Sequence, residues 1–244
     1  MKTLIIIPSR LSAKRLPGKP LLKINDKSII SHVFKKAEEA NIGEVVVATE
    51  DQEIIDDVRQ NGGQAILTKN LHKTGTDRIY EALQKLKMSN IDLIMNLQGD
   101  EPLMNIEDIK NLNNQMIKNK SQLGTLASKI TDQNLYENEN VVKVKTKTSL
   151  EKTNFPDAIN FMRKNINSQE NIYHHLGIYC YQRETLKNFV SFNQSSNEID
   201  NNLEQLRALD NGIKIRVALA KSSPIGVDTY EDFVAIKKIM EYKS

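Results

Sequence analysis

The chain is short of cysteine, of long apolar runs and of any surplus of one charge. Cys180 is the only thiol, so no internal disulfide can form. No apolar run approaches the roughly 20 residues that span a bilayer. Met1-Lys2-Thr3 leads straight into a strand, without the longer apolar region and small-residue cleavage site of a secretory signal. A cytoplasmic protein that neither enters nor binds a membrane is therefore expected. Lys and Arg number 34 against 31 Asp and Glu, a net charge of +3, and they are dispersed along the sequence. That balance argues against a nucleic-acid surface and for a local basic pocket suited to a small anion. No repeat, linker or low-complexity tail interrupts the 244 residues, a length that suits one α/β domain with a sizeable core.

What is present begins with Leu4-Ile5-Ile6-Ile7, the continuous apolar run of a strand buried on both faces. Ser9 to Leu22 follows. It holds four cations, Arg10, Lys14, Arg15 and Lys19, together with Gly18, whose missing Cβ lets a ligand approach the backbone, and Pro17 and Pro20, which stiffen its flanks. Open α/β sheets bind ligands beyond the carboxyl ends of their strands, so a basic loop there suits a polyanion such as a triphosphate. Glycine is too scarce for the familiar phosphate loops. A Walker A loop would need glycine at Ala13 and a hydroxyl at Pro20, and a dinucleotide fingerprint would need two glycines besides Gly18. The plain alternative is a solvated basic surface loop.

Along the chain, Ile29, Ile30, Val33, Phe34, Ala37 and Ala40 recur at helical spacing after the N-cap Ser28, with Gly43 closing the segment. Strands are expected at 44–48, 65–67, 92–97, 124–130, 141–145, 158–162, 173–181 and 213–220. Helices are expected at 51–61, where Gly62-Gly63 stops the pattern, then through Ile79, Leu83 and Leu86, and at 106–119, 184–192, 203–211 and 229–242. The alternation predicts a mostly parallel central sheet with helices on both faces, and a segment around 130–200 inserted in it or appended to it. Cys180, inside the expected strand 173–181, reads as a buried strand residue rather than a nucleophile.

Two carboxylates stand out by context. Asp100 follows Gly99 just past a buried strand, and Asp228 lies between Ile225-Gly226-Val227 and the cap of the last helix. Together they could hold Mg²⁺ on a triphosphate, although each could equally be a turn or capping residue, and Glu101 competes with Asp100. Lys73-Thr74-Gly75-Thr76-Asp77-Arg78 sets hydroxyls, a flexible glycine and cations at a helix start, where they could read a base edge or simply cap the helix. His174 and His175 are neighbours on a strand and point to opposite faces, which argues against a shared metal.

Ser9 to Leu22, His72 to Arg78, Gln98 to Pro102, His175 to Tyr179, Leu203 to Leu209 and Gly226 to Thr229 resemble, in order, the signature blocks of the 3-deoxy-manno-octulosonate (Kdo) cytidylyltransferases. The resemblance implies a nucleotide-diphospho-sugar transferase-like fold. The implied activity couples CTP to Kdo, for lipopolysaccharide synthesis, and the implied assembly is a homodimer to which 130–200 contributes. Arg10, Arg15 and Lys19 are then expected on the triphosphate, and Asp100 and Asp228 on magnesium. Gly75, Thr76, Arg78 and Gln98 would lie at the nucleotide, and His175, Tyr179, Glu204, Gln205 and Arg163 at the sugar acid. Asp77 stands where the family often has Glu, and Asn167 where it has proline, so 146–171 departs from the pattern. A cytidylyltransferase for a related acid, such as an amino-substituted Kdo or a sialic acid, and a non-catalytic nucleotide-binding module are the alternatives. A coordinated hydroxyl deprotonated with help from the metal is preferred to His175 as base.

Overall fold

The computed structural model describes residues 1–13, 15–70, 72, 74–164 and 168–242. Lys14, Lys73 and Asn167, each singled out in the sequence, lie outside the described residues. The chain forms two compact units, the first made of Lys2–Ile91, Met95–Ile109 and Pro224–Ser244, the second of Met1–Met1, Asp92–Ile94 and Lys110–Ser223.

In the first unit β1 (Thr3–Ser9) is the buried strand expected, with Leu4 to Ile7 fully enclosed. A 3₁₀ turn (Lys19–Leu21) leads to a short hairpin, β2 (Lys23–Ile24) and β3 (Lys27–Ser28). Its Asn25 and Asp26 both take positive φ, 47° and 62°, as a two-residue hairpin turn requires; the periodicity did not reveal it. Ser28 caps α1 (Ile29–Glu39), its side chain accepting from Ser31 N at 3.1 Å.

Gly43 does not close this helix as expected. Asn41 does, at φ 50°, because asparagine tolerates the left-handed region. Gly43 instead opens β4 (Gly43–Thr49), which pairs in parallel with β1, and a Cβ there would lie 1.9 Å from Thr3 O. The chain continues through α2 (Gln52–Gln60), β5 (Ala65–Leu67), which is parallel to β4, α3 (Gly75–Leu86) and β6 (Leu93–Asn96), of which Leu93 and Ile94 count with the second unit.

The strand order β6-β1-β4-β5 carries the chain outward from β1 and then back to its other side. Such a reversal opens a crevice at the strands' carboxyl ends. Leu97 N donates to Ile6 O at 3.3 Å, and a Cβ on Gly99 would meet Pro8 O at 3.1 Å, so the segments following β1 and β6 leave side by side. The C-terminal helix (Tyr230–Tyr242) places Phe233 and Ile236 in one cluster with Ile24, Ile29 and Val227.

The second unit runs from α4 (Ile106–Asn119), most of which it contains, through β7 (Leu123–Ser128), α5 (Asn134–Glu137), β8 (Lys143–Thr146), β9 (Ala158–Met162) and β10 (Ile172–Gln182). It ends with α6 (Arg183–Ser191), α7 (Ser196–Asn201), α8 (Leu206–Asp210) and β11 (Ile215–Leu219). β11 is parallel to β7, whereas β10 is antiparallel to β7 and to β8, and β9 is antiparallel to β8. The expected helix 203–211 is helical only from Leu206. Asn202 breaks the chain at φ 51°, and Leu206, Arg207 and Ala208 first make i→i−3 bonds to Leu203, Glu204 and Gln205.

Candidate functional site

The basic loop folds back on itself at the end of β1. Gly18 sits at φ 74°, a turn closed to most side chains, and its N–H returns to Leu11 O at 3.0 Å. Pro20 enters the 3₁₀ turn at a position where its missing N–H costs nothing. This sets Lys19 inward, and its Nζ donates to Asp100 Oδ2 at 2.5 Å, Val227 O at 2.9 Å and Asp228 Oδ1 at 3.3 Å. Arg15, more exposed, holds the other oxygen of Asp228 at 2.8 Å. Arg10 is exposed and has no ion-pair partner among the described residues.

Asp100 and Asp228 therefore meet around one ammonium although 128 positions separate them in the sequence (228 − 100). The backbone makes this possible. Val227 N donates to Asp100 O at 2.8 Å, and Val227 itself is fully buried. Asp232 Oδ2 accepts from the amides of Asp228 and Thr229 at 3.1 and 2.9 Å, while Thr229 Oγ1 accepts from Asp232 N at 3.2 Å, so the reciprocal cap read from the sequence also fixes the residue before it.

Glu101 is not simply a rival of Asp100. Its Oε2 is buried without a hydrogen-bond partner among the described residues. Burial first, then the negative charges of Asp100 and Asp228, push its carboxyl up to about 8, against the pull of Lys19. A buried, unsatisfied carboxyl oxygen beside two more carboxylates marks a place short of positive charge. The donors are all oxygens, the set a hard divalent cation takes, and Mg²⁺ usually uses one or two protein carboxylates with substrate phosphates completing the shell. Among the described residues no group of three or more acids, histidines or cysteines is arranged to hold a metal by itself.

Next to β1, Thr74 caps α3, its Oγ1 accepting from Asp77 N at 3.2 Å. Capping thus falls to Thr74, leaving Gly75 packed near Pro8, where a Cβ would meet Cγ at 3.5 Å. Thr76 is buried. Arg78, expected at the nucleotide, turns inward: its guanidinium bonds Glu50 Oε2 at 2.5 Å, Thr68 Oγ1 at 2.6 Å and Lys69 O at 3.3 Å. A cation this enclosed needs a counter-ion and acceptors, and Arg78 thereby ties Glu50, Thr68 and Lys69 to the first turns of α3. Glu50 and Thr68 were missed in the sequence, although an acid directly after a buried strand was a visible signal. Gln98 lies half-buried on the segment leaving β6.

In the second unit β10 carries a bulge between Leu176 and Tyr179. Thr125 Oγ1 donates to Ile178 O at 2.7 Å and meets His175 Nε2 at 3.0 Å. His175 stacks edge-on against Phe161 at 4.9 Å and beside Tyr179 at 5.4 Å. Burial first, then the neighbouring His174, lowers its pKa to about 3, so it stays neutral near neutral pH and is only a weak base. Tyr179 is raised well above its ordinary range by burial, with Tyr181 and Glu204 adding to the effect. Gln205, Leu203 and Leu206 are buried, and Leu209 is half-buried. Glu198 and Arg207, which the sequence did not flag, form a buried two-point ion pair at 2.5 and 2.7 Å. Arg163 points its Nη1 at the carbonyls of Glu139 and Asn140, at 3.2 and 3.3 Å. Cys180 is fully buried and its thiol is pushed up by desolvation, as a structural cysteine should be.

A buried-strand α/β unit with a lysine-bridged carboxylate pair at its switch point is the frame of a nucleotidyl-transferring protein, and the comparisons agree. Residues 4–215 match the family model described as cytidylyltransferase, and the chain belongs to that family. A 3-deoxy-manno-octulosonate cytidylyltransferase of Thermodesulfovibrio yellowstonii is 41% identical over 252 residues, covering 98% of each chain. One of Afipia carboxidovorans is 40% identical over 240 residues, covering 98% of this chain and 96% of its own. A solved CMP:2-keto-3-deoxy-manno-octonic acid synthetase complexed with CTP superposes with a TM-score of 0.91 at 35% identity, covering 100% of both chains. Within the family, the chain is thus one of the 3-deoxy-manno-octulosonate cytidylyltransferases, with the nucleotide-diphospho-sugar transferase-like fold expected. Neither a cytidylyltransferase for another acid nor a non-catalytic module is favoured.

Proposed function

We propose that the protein couples CTP to Kdo, giving CMP-Kdo and pyrophosphate, with Mg²⁺ as cofactor. The observation that carries this is the convergence of Asp100 and Asp228 on Lys19, because it joins metal-type donors to phosphate-type cations in one crevice. In the reaction the anomeric hydroxyl oxygen of Kdo forms a bond to the α-phosphorus of CTP. The bond from that phosphorus to the bridging oxygen breaks, pyrophosphate leaves and the hydroxyl proton is released.

Such transfers ask a protein mainly for alignment and for stabilisation of charge. Arg10, exposed and without an ion-pair partner among the described residues, and Arg15, exposed beside Asp228, would take the triphosphate. Lys19 keeps the two carboxylates together and faces the phosphates. Mg²⁺ held by Asp100 and Asp228 would supply Lewis acidity to the phosphate oxygens and lower the pKa of a coordinated hydroxyl. Arg78 supports the nucleotide side from behind, through the start of α3 that carries Gly75 and Thr76. His175, Tyr179, Glu204, Gln205 and Arg163 form the sugar-acid side.

Among the described residues no helix is long and apolar enough to cross a membrane; a cytoplasmic location, a homodimer and the absence of nucleic-acid partners complete the reading. Purified protein with CTP, Mg²⁺ and Kdo should release pyrophosphate, and chelation should stop it. Turnover with another sugar acid but none with Kdo would overturn the substrate.

A further inference from the structure

Among the described residues three cations are almost wholly enclosed. Arg78 is paired with Glu50 and Arg207 with Glu198, but Lys143 on β8, with none of its surface exposed, has no carboxylate within salt-bridge distance among the described residues. Lysine is rarely buried without a partner, since its ammonium gives up water that weak acceptors replace poorly. Burial first, with Arg163 adding to it and Glu137 and Glu139 opposing, lowers its pKa. Such a cost calls for a structural return.

The acceptors show what that return is. Lys143 Nζ donates to Asn138 O at 2.7 Å and to Arg163 O at 2.9 Å. Arg163 in turn sends Nη1 to the carbonyls of Glu139 and Asn140, the next two residues of the same turn. Lys143 thus grips Arg163 twice, once by its own carbonyl and once through the turn on which its guanidinium rests. The strand register fixes the lysine in place: Lys143 lies opposite Met162 on β9 and opposite His174 on β10. Lys164, next in the chain, is engaged separately with Glu139 at 2.6 Å.

We propose that Lys143 is a positioning residue that holds Arg163 in place to receive the carboxylate of the sugar acid. This rests on the reading of Arg163 given above. In steady-state kinetics K143M should raise the KM for Kdo about tenfold, leaving the KM for CTP within about twofold. R163A should raise the same constant, and adding K143M to R163A should raise it no further, because the lysine acts only through the arginine. K143Q, uncharged but keeping an N–H donor, should lie between wild type and K143M, and it serves if K143M does not fold. If R163A shifts the KM for Kdo while the folded Lys143 variants leave it unchanged, shift both KM values alike or add fully to R163A, the role of Lys143 is overturned. If R163A itself leaves the KM for Kdo unchanged, the reading of Arg163 falls and the proposal falls with it.

Discussion

Lys19 uses its three ammonium protons on Asp100, Val227 and Asp228, and so it defines the geometry of the site as well as its charge. Replacing Asp100 by Asn removes the charge but leaves an amide oxygen that can still accept from Lys19, beside Val227 O and Asp228. D100N should therefore stay folded, with a melting temperature near that of wild type by circular dichroism, while pyrophosphate release falls by about a hundredfold or more. Near-normal turnover would exclude Asp100 as a metal ligand. Arg78 behaves differently, because its guanidinium is buried against Glu50. Removing it in R78M strands that carboxylate and should cost about 3–5 kcal/mol in urea unfolding, whereas a residue that only touched nucleotide would leave stability intact.

Glu81 shows how a pH dependence arises at this scale. Burial alone would raise its pKa, but bonds from Lys85, the Lys69 amide and His72 bring it down from 4.5 to about 2. A carboxyl with a depressed folded-state value stabilises the fold above pH 4.5, and that contribution fades as pH falls toward 2. E81Q should accordingly be less stable than wild type at pH 7, with the gap closing across pH 4.5 to 2 in unfolding titrations. A gap independent of pH would show that charge at Glu81 plays no part.

At the scale of elements, the turn before the C-terminal helix is where stability and site coincide. Asp232 bonds the amides of both Asp228 and Thr229, so D232A removes a helix cap and loosens a proposed metal ligand together. The cap should cost about 1 kcal/mol in thermal or urea unfolding. The Mg²⁺ concentration for half-maximal activity should rise as well; the loss of stability without that rise would confine Asp232 to capping. The strands and helices themselves were largely legible. The strands Ala65–Leu67 and Ala158–Met162 and the helix Ile106–Asn119 carry the bounds read from the periodicity. The β2–β3 hairpin and α5 escaped it because they are short and carry no apolar run such as Ala65-Ile66-Leu67 to mark them. Gly43 was misread because close approach to Thr3 is a contact between strands, which no local pattern contains.

For the whole molecule, the chain is interleaved between two compact units, one holding the phosphate-type cations and carboxylates and the other the proposed sugar-acid residues. Light scattering is expected to give a mass near twice 27.8 kDa, as the proposed homodimer requires, and a monomer at assay concentrations would remove that part of the reading.

The sequence by itself determined the α/β alternation, the buried first strand, the basic loop beyond it and the cap of the last helix, since each depends on residues close together in the chain. The tertiary structure alone decided that Asp100 and Asp228 share one lysine, that Arg78 and His175 face inward, and that Lys143 is enclosed beneath Arg163. Those outcomes depend on which distant backbones become neighbours and on what burial then does to a charge, and periodicity along a chain records neither.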